Sequence, residues 1–235
     1  MRSFDPTDPI PSFKALLKDL VKGYKFDVEG LYLKDGTVRP LPREAAVVGK
    51  VLEVSIHEYL SRKLLRVSQL KSIPAQSDRV YPDVSFNGPM IFPRRFALDV
   101  KCARRKDNGE RTVSPITIGT FDAEYFRFPD EKVGNIMMPY GSYAAHLSLV
   151  ALYSYEEGTA RAIELLVVEK WRVATKKRSS GTRCYIAASS LVADLREERG
   201  DFSSEEEFNT YWRSQPISAE KGARRRSRRE EAPES

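Results

Sequence analysis

An α/β fold of the α+β kind is what this sequence predicts. The length of 235 residues suits one domain with a full-sized core. Hydrophobic residues at 41% and charged ones at 31% are ordinary for a folded protein and exclude wholesale disorder. Stretches with helical apolar spacing alternate with β-prone ones along most of the chain.

Met1 to Pro11, rich in Pro and Asp, reads as an extended lead-in. Ser12 then suits the cap of a helix to about Lys22, with Phe13, Leu16, Leu17, Leu20 and Val21 on one face. Residues 25–33 alternate, and Asp35-Gly36 turns them back through Val38 as a hairpin. The longest helical pattern runs from Glu44 to about Leu65 and places Glu53 and His57 four apart, as neighbours. That pair is either a solvent-facing couple or a contribution to a site. Residues 72–79 read as a loop, and residues 80–86 and 96–101 as strands. A charged turn spans 104–111, a strand-like piece 112–117, and a broken helix with a loop 122–139. Residues 142–155 read as a helix becoming a strand, and 162–168 as a buried strand that Glu169-Lys170-Trp171 extends. Ser203 with Glu206 suits a capping box for a last helix through Trp212. Residues 1–217 are expected to form the folded unit. Residues 218–235, charged and without apolar residues to bury, are expected to be a disordered tail.

The net charge of +6 favours a polyanionic partner, although a mildly basic protein of another kind would show it too. Cys102 and Cys184 lack CxxC spacing, and there are only two histidines, which argues against a disulfide framework and a zinc hydrolase. No apolar run suggests a leader or a membrane span, so a cytoplasmic protein is expected.

The chemistry concentrates in Tyr81-Pro82-Asp83-Val84 and Phe96-Ala97-Leu98-Asp99-Val100-Lys101. On a strand, Asp99 and Lys101 point to one face, and a hairpin returns them beside Asp83. Pro-Asp, a hairpin's length, then Asp-x-Lys is the PD-(D/E)xK arrangement. Two aspartates form an oxygen set suited to Mg²⁺, which phosphodiester cleavage needs to neutralise charge, and a lysine adds fixed positive charge. Glu53 could supply a further carboxylate to the metal. An ion pair at a sheet edge is the plainer alternative. The basic segment 172–184, with Ser180, Gly181, Thr182 and Arg183, is either a hairpin tip carrying incidental charge or a loop reading DNA.

The chain resembles the EcoRV-like type II restriction endonucleases, within the PD-(D/E)xK nuclease superfamily, from about Phe13 to Arg213. The likeness includes Lys25-Phe26-Asp27-Val28, Tyr81-Pro82-Asp83, Ala97-Leu98-Asp99-Val100-Lys101, Thr117-Ile118-Gly119, Ala145-His146, Lys170-Trp171 and Tyr211-Trp212-Arg213. It implies a central mixed β-sheet flanked by helices, with an N-terminal hairpin used in dimerisation. It also implies a homodimer that cuts double-stranded DNA at a short palindrome with Mg²⁺, leaving blunt ends with 5′-phosphates; Mn²⁺ is a candidate substitute. Asp83, Asp99, Lys101 and Glu53 take the catalytic roles, with Asp83, Asp99 and Glu53 on the metal. Ser180, Gly181, Thr182, Arg183, Cys184 and Tyr185, together with Gln76 and Ser77, fall on the DNA-contacting loops. The family's Ser-Gly-Asn-Thr-Thr-Asn loop departs here at Thr182, where an adenine-reading Asn stands in the family, and Arg183 suits guanine. The resemblance therefore implies a palindrome without fixing its sequence. The rival readings are a repair or nicking nuclease of the same fold and a DNA-binding module without activity.

Overall fold

The computed structural model describes residues 4–28, 30–179 and 184–216. In chain order the elements are α1 (Pro9–Val21), β1 (Asp27–Val28), β2 (Leu31–Tyr32), β3 (Val38–Arg39), α2 (Ala45–Leu64), β4 (Lys71–Pro74), β5 (Val84–Asn87), β6 (Phe96–Arg104), β7 (Thr117–Thr120), α3 (Glu124–Arg127), β8 (Ala145–Glu156), β9 (Thr159–Glu169), α4 (Lys170–Val173), β10 (Ala174–Arg178), β11 (Tyr185–Ala188), α5 (Val192–Glu197) and α6 (Glu205–Arg213). A six-stranded sheet in the order β1-β9-β8-β6-β5-β4 forms the centre. It is mixed, because β6 and β8 run parallel while the other neighbours are antiparallel. A smaller antiparallel sheet, β10-β11-β7, and the β2–β3 hairpin complete the strands. The expected class, α+β with a central mixed sheet flanked by helices, is observed.

Each face of the central sheet has its own core. On one face, α1 and α2 cover Leu98 and Val100 of β6 and Leu147, Leu149 and Ala151 of β8. Phe13 of α1 stacks on Phe96 with ring centroids 4.0 Å apart. The other face gathers Ala103, Val150, Leu152 and Val168 with Ile118, Ile186, Leu195, Phe208 and Trp212. Burial on both faces explains why β8 reads as an unbroken apolar run, ambiguous between helix and strand. The structure makes it a strand from Ala145, correcting the helical start expected in 142–155. A two-residue turn at Glu157 and Gly158, both with positive φ (47° and 87°), joins β8 to β9 in the manner of a tight hairpin.

Other boundaries also shift for local reasons. Helix α1 starts at Pro9, since proline is tolerated in the first turn; Ser12 is inside it, and its hydroxyl accepts from Asp5 N–H (2.7 Å) instead of capping. Residues 72–74 of the expected loop belong to the edge strand β4, paired with β5 from Lys71 to Pro74. The expected strand 80–86 forms only from Val84, and the piece expected at 112–117 becomes β7, beginning at Thr117. Lys170 to Val173 turn as a short helix instead of extending β9. The last helix is capped one residue later than expected: Ser204 accepts from Glu207 N–H, while the Glu207 carboxylate reaches back to Ser203. The expected tail, residues 218–235, lies outside the described residues.

Helix α2 matters most for the site. Val48, Leu52, Ile56, Leu60 and Leu64 form its buried stripe, one residue every turn. Glu53 and His57 each follow a buried stripe residue, so they lie at the border between core and solvent, facing the start of β5.

Candidate active site

Strand β6 carries the centre of the site. Leu98 and Val100 sink into the core under α1 and α2, and the strand's alternation sends Asp99 and Lys101 to the opposite face. Antiparallel pairing of Val84 with Leu98 brings Asp83 alongside, and Val100 N–H donates to Asp83 Oδ2 at 2.7 Å. A cleft of about 370 Å³ opens there, lined by Asp83, Asp99, Lys101, Tyr81, Thr117 and Tyr185 among others. The structure thus brings Asp83, Asp99 and Lys101 together at one cleft.

Asp99 is the most constrained group in it. Its Oδ2 accepts from Lys170 Nζ at 2.6 Å and lies 3.2 Å from Lys101 Nζ. Burial alone would raise the Asp99 pKa, but Lys101 and Lys170 outweigh it and hold the carboxyl at about 2. Asp83 moves the other way: burial, then the negative charge of Asp99, raise it above the ordinary aspartate value. Burial disfavours the Lys101 ammonium, yet Asp99 and Asp83 reverse that and raise its pKa. For Lys170 burial prevails over the attraction of Asp99, and its pKa is lowered.

Lys170 is the residue that sequence reasoning placed on a continuing strand and gave no role. The first turn of α4 directs its side chain under the sheet, 4.3 Å above the Tyr81 ring. Glu169, one residue earlier, is held by Lys14, Trp171 and Arg172, which fixes the corner from which Lys170 projects. Tyr81 is itself pinned. Its backbone bonds on both sides to Asn135 and Met137 (2.9 Å each), and its hydroxyl lies 2.7 Å from His146 Nδ1. His146 Nε2 lies 3.1 Å from Tyr140 O, so Nε2 carries the proton and Nδ1 accepts from Tyr81. Burial, reinforced by Lys170, lowers the His146 pKa to about 3, so the ring is neutral and serves as an orienting acceptor. Beside the likeness at Ala145-His146 and Lys170-Trp171, the sequence signal for this apparatus was the apolar setting of Asp99, which demands a compensating charge.

Glu53 does not stand with Asp99. One ligand atom from each of Glu53, His57 and Asp83 lies within 4.8 Å of the others, in a second cleft of about 310 Å³ beside the first. Asp83 lines both clefts. Lys50 Nζ contacts Glu53 Oε1 at 3.0 Å and Asp78 Oδ1 at 2.9 Å. The expected ligand set of Asp83, Asp99 and Glu53 is therefore split between two faces of Asp83, because α2 packs on the face of β6 that carries Leu98 and Val100, whereas Asp99 projects from the opposite face. Gln76 and Ser77 line the helix-side cleft, and Tyr185 the strand-side one. Ser180, Gly181, Thr182 and Arg183 lie outside the described residues. Cys184 is buried in the second core.

The comparisons with known proteins concern the family and the fold. The family model described as restriction endonuclease EcoRV matches residues 22–231. The type II restriction enzyme EcoRV of Escherichia coli is 23% identical over 224 residues, covering 85% of this chain and 89% of that enzyme. Among solved structures, the NlaIV restriction endonuclease is similar with a TM-score of 0.53 and 13% identity, covering 89% of this chain and 80% of that one, a likeness of fold. With most of its length matched by the family model, the chain belongs to the EcoRV restriction endonuclease family, whose members are type II site-specific deoxyribonucleases that hydrolyse DNA.

Proposed function

We propose that the protein is a homodimeric, Mg²⁺-dependent endonuclease that cuts both strands of duplex DNA at a short palindrome, leaving blunt ends with 5′-phosphates. The observation that carries the reading is the convergence of Asp83 and Asp99 on one cleft with Lys101 between them and solvent. The raised pKa of Asp83 supports a cation there. Two carboxylates repel each other at this point, and a divalent ion between oxygen donors would relieve that repulsion.

In this reading Asp83 and Asp99 hold the cation and Glu53 offers a further carboxylate through Asp83. When bound, the ion supplies charge neutralisation at the scissile phosphate and lowers the pKa of an attacking water. Lys170 keeps Asp99 ionised and fixed in direction without occupying the open cleft. Lys101, partly exposed at the mouth, offers its ammonium to the nucleophile and to charge developing on the phosphate. Thr117 and Tyr185 hydroxyls border the path of the DNA backbone, and Arg183 reads a base edge. Dimerisation is supported by the β2–β3 hairpin, where Tyr32 is 76% and Val38 61% exposed, with Leu31 and Leu33 beside them.

Incubating the protein with a plasmid of known sequence and Mg²⁺, then sequencing the cut ends, tests the reading. Discrete blunt fragments sharing one palindrome are expected. Nicks, cuts at lesions or the absence of Mg²⁺-dependent cutting would overturn it.

A further inference from the structure

The helix-side cleft holds a donor set that the strand-side cleft lacks: an imidazole. His57 and Glu53 are one turn apart on α2, and both face Asp83 at the start of β5, with ligand atoms of all three within 4.8 Å. That spread lies close to the span across an ion with bonds of about 2.0–2.2 Å, so small side-chain adjustments close it. All three residues are half-buried, a setting that limits solvent competition while leaving the cleft open to ions. Lys50 now neutralises Glu53 through Oε1, but its side chain is 44% exposed and can turn out into water when a divalent ion arrives.

We propose that Glu53, His57 and Asp83 form a second metal site that selects transition-metal ions of the Mn²⁺, Co²⁺ and Zn²⁺ type over Mg²⁺. The proposal rests on the reading of Asp83 as a metal ligand given above and adds the ligand His57 and the metal class. The physical reason is donor hardness. Mg²⁺ favours oxygen and keeps its waters, whereas one imidazole with two carboxylates suits first-row transition ions, with affinity rising from Mn²⁺ toward the later metals. Because Asp83 is shared between the clefts, occupancy of the helix-side site changes the charge that the strand-side site feels.

The test uses the DNA-free, full-length protein and Mn²⁺ alone, followed by electron spin-echo spectroscopy. A ¹⁴N coupling from a directly bound imidazole is expected in the wild type. It should disappear in His57→Gln, with Mn²⁺ affinity falling about 10-fold or more while Mg²⁺ affinity stays within about twofold. The coupling should persist in Asp99→Asn, which leaves these three ligands in place. Mn²⁺ binding without nitrogen coupling, or coupling that survives in His57→Gln, overturns the proposal while leaving the oxygen-ligand reading of the active site intact. Failure of any Mn²⁺ to bind the free protein overturns it too. Loss of Mg²⁺-dependent DNA cleavage by the wild type would instead count against the endonuclease reading.

Discussion

The two halves of the site, strand-borne and helix-borne, are built on opposite terms. Asp99 sits on the central strand of a sheet covered on both faces, and its charge is met by a buried lysine 2.6 Å away. Glu53 sits at the border of α2, and its charge is met by a lysine that is 44% exposed. The first pair is fixed by packing on all sides, whereas the second is held by a surface ion pair worth at most about 1 kcal/mol. Asp83 is the hinge between them, its carboxylate anchored by the Val100 amide and exposed to both clefts. The contrast teaches that one half is organised before any ligand arrives and the other is adjustable.

Perturbing the two halves separately sharpens that contrast. The largest effect is expected from Lys101→Met, which should slow DNA cleavage by about 10³-fold while Mn²⁺ binding persists; single-turnover rates and metal titration check both. Lys170→Met leaves Asp99 without its buried partner and should cost about 3–5 kcal/mol in chemical denaturation. Adding Asp99→Ala to that variant should restore much of the loss, because neither member of the buried pair then remains. Glu53→Ala, on the adjustable side, should lower the cleavage rate about 10- to 100-fold without abolishing it and leave the unfolding midpoint nearly unchanged. An equal stability loss from Glu53→Ala and Lys170→Met would break the contrast.

A separate effect concerns pH. His146 has a folded pKa of about 3 against an ordinary 6.5, so between those values the unfolded chain binds more protons. Stability should therefore rise with pH across that window, by up to about 1.4 kcal/mol per pH unit from this group, and fall as pH drops from 6.5 toward 3. His146→Gln should flatten the slope there, as read by denaturation at a series of pH values.

Much of the strand-borne half was legible in the sequence, because a two-residue alternation on a strand fixes which side chains share a face. Leu98-Asp99-Val100-Lys101 declares its pairing without any tertiary information. The longest helix was legible too, within a residue at each end. What the sequence obscured were relations that depend on packing between elements. Lys170 is far from Asp99 in the chain and reaches it only because α4 breaks away from β9 after Glu169. Glu53 and His57 were recognisable as neighbours, but not the direction they face, since Val47 and Val54 look equally apolar on paper and turn out to be exposed. β8 hid its strand character because both of its faces are covered.

The central claim is that the strand-borne carboxylates are the ones on which catalysis depends. Its most direct test is the single-turnover cleavage rate of Asp99→Ala relative to wild type on one defined DNA site, with DNA affinity measured in the absence of metal. A fall of about 10³-fold or more with DNA affinity retained is predicted. A rate within tenfold of wild type would contradict the account.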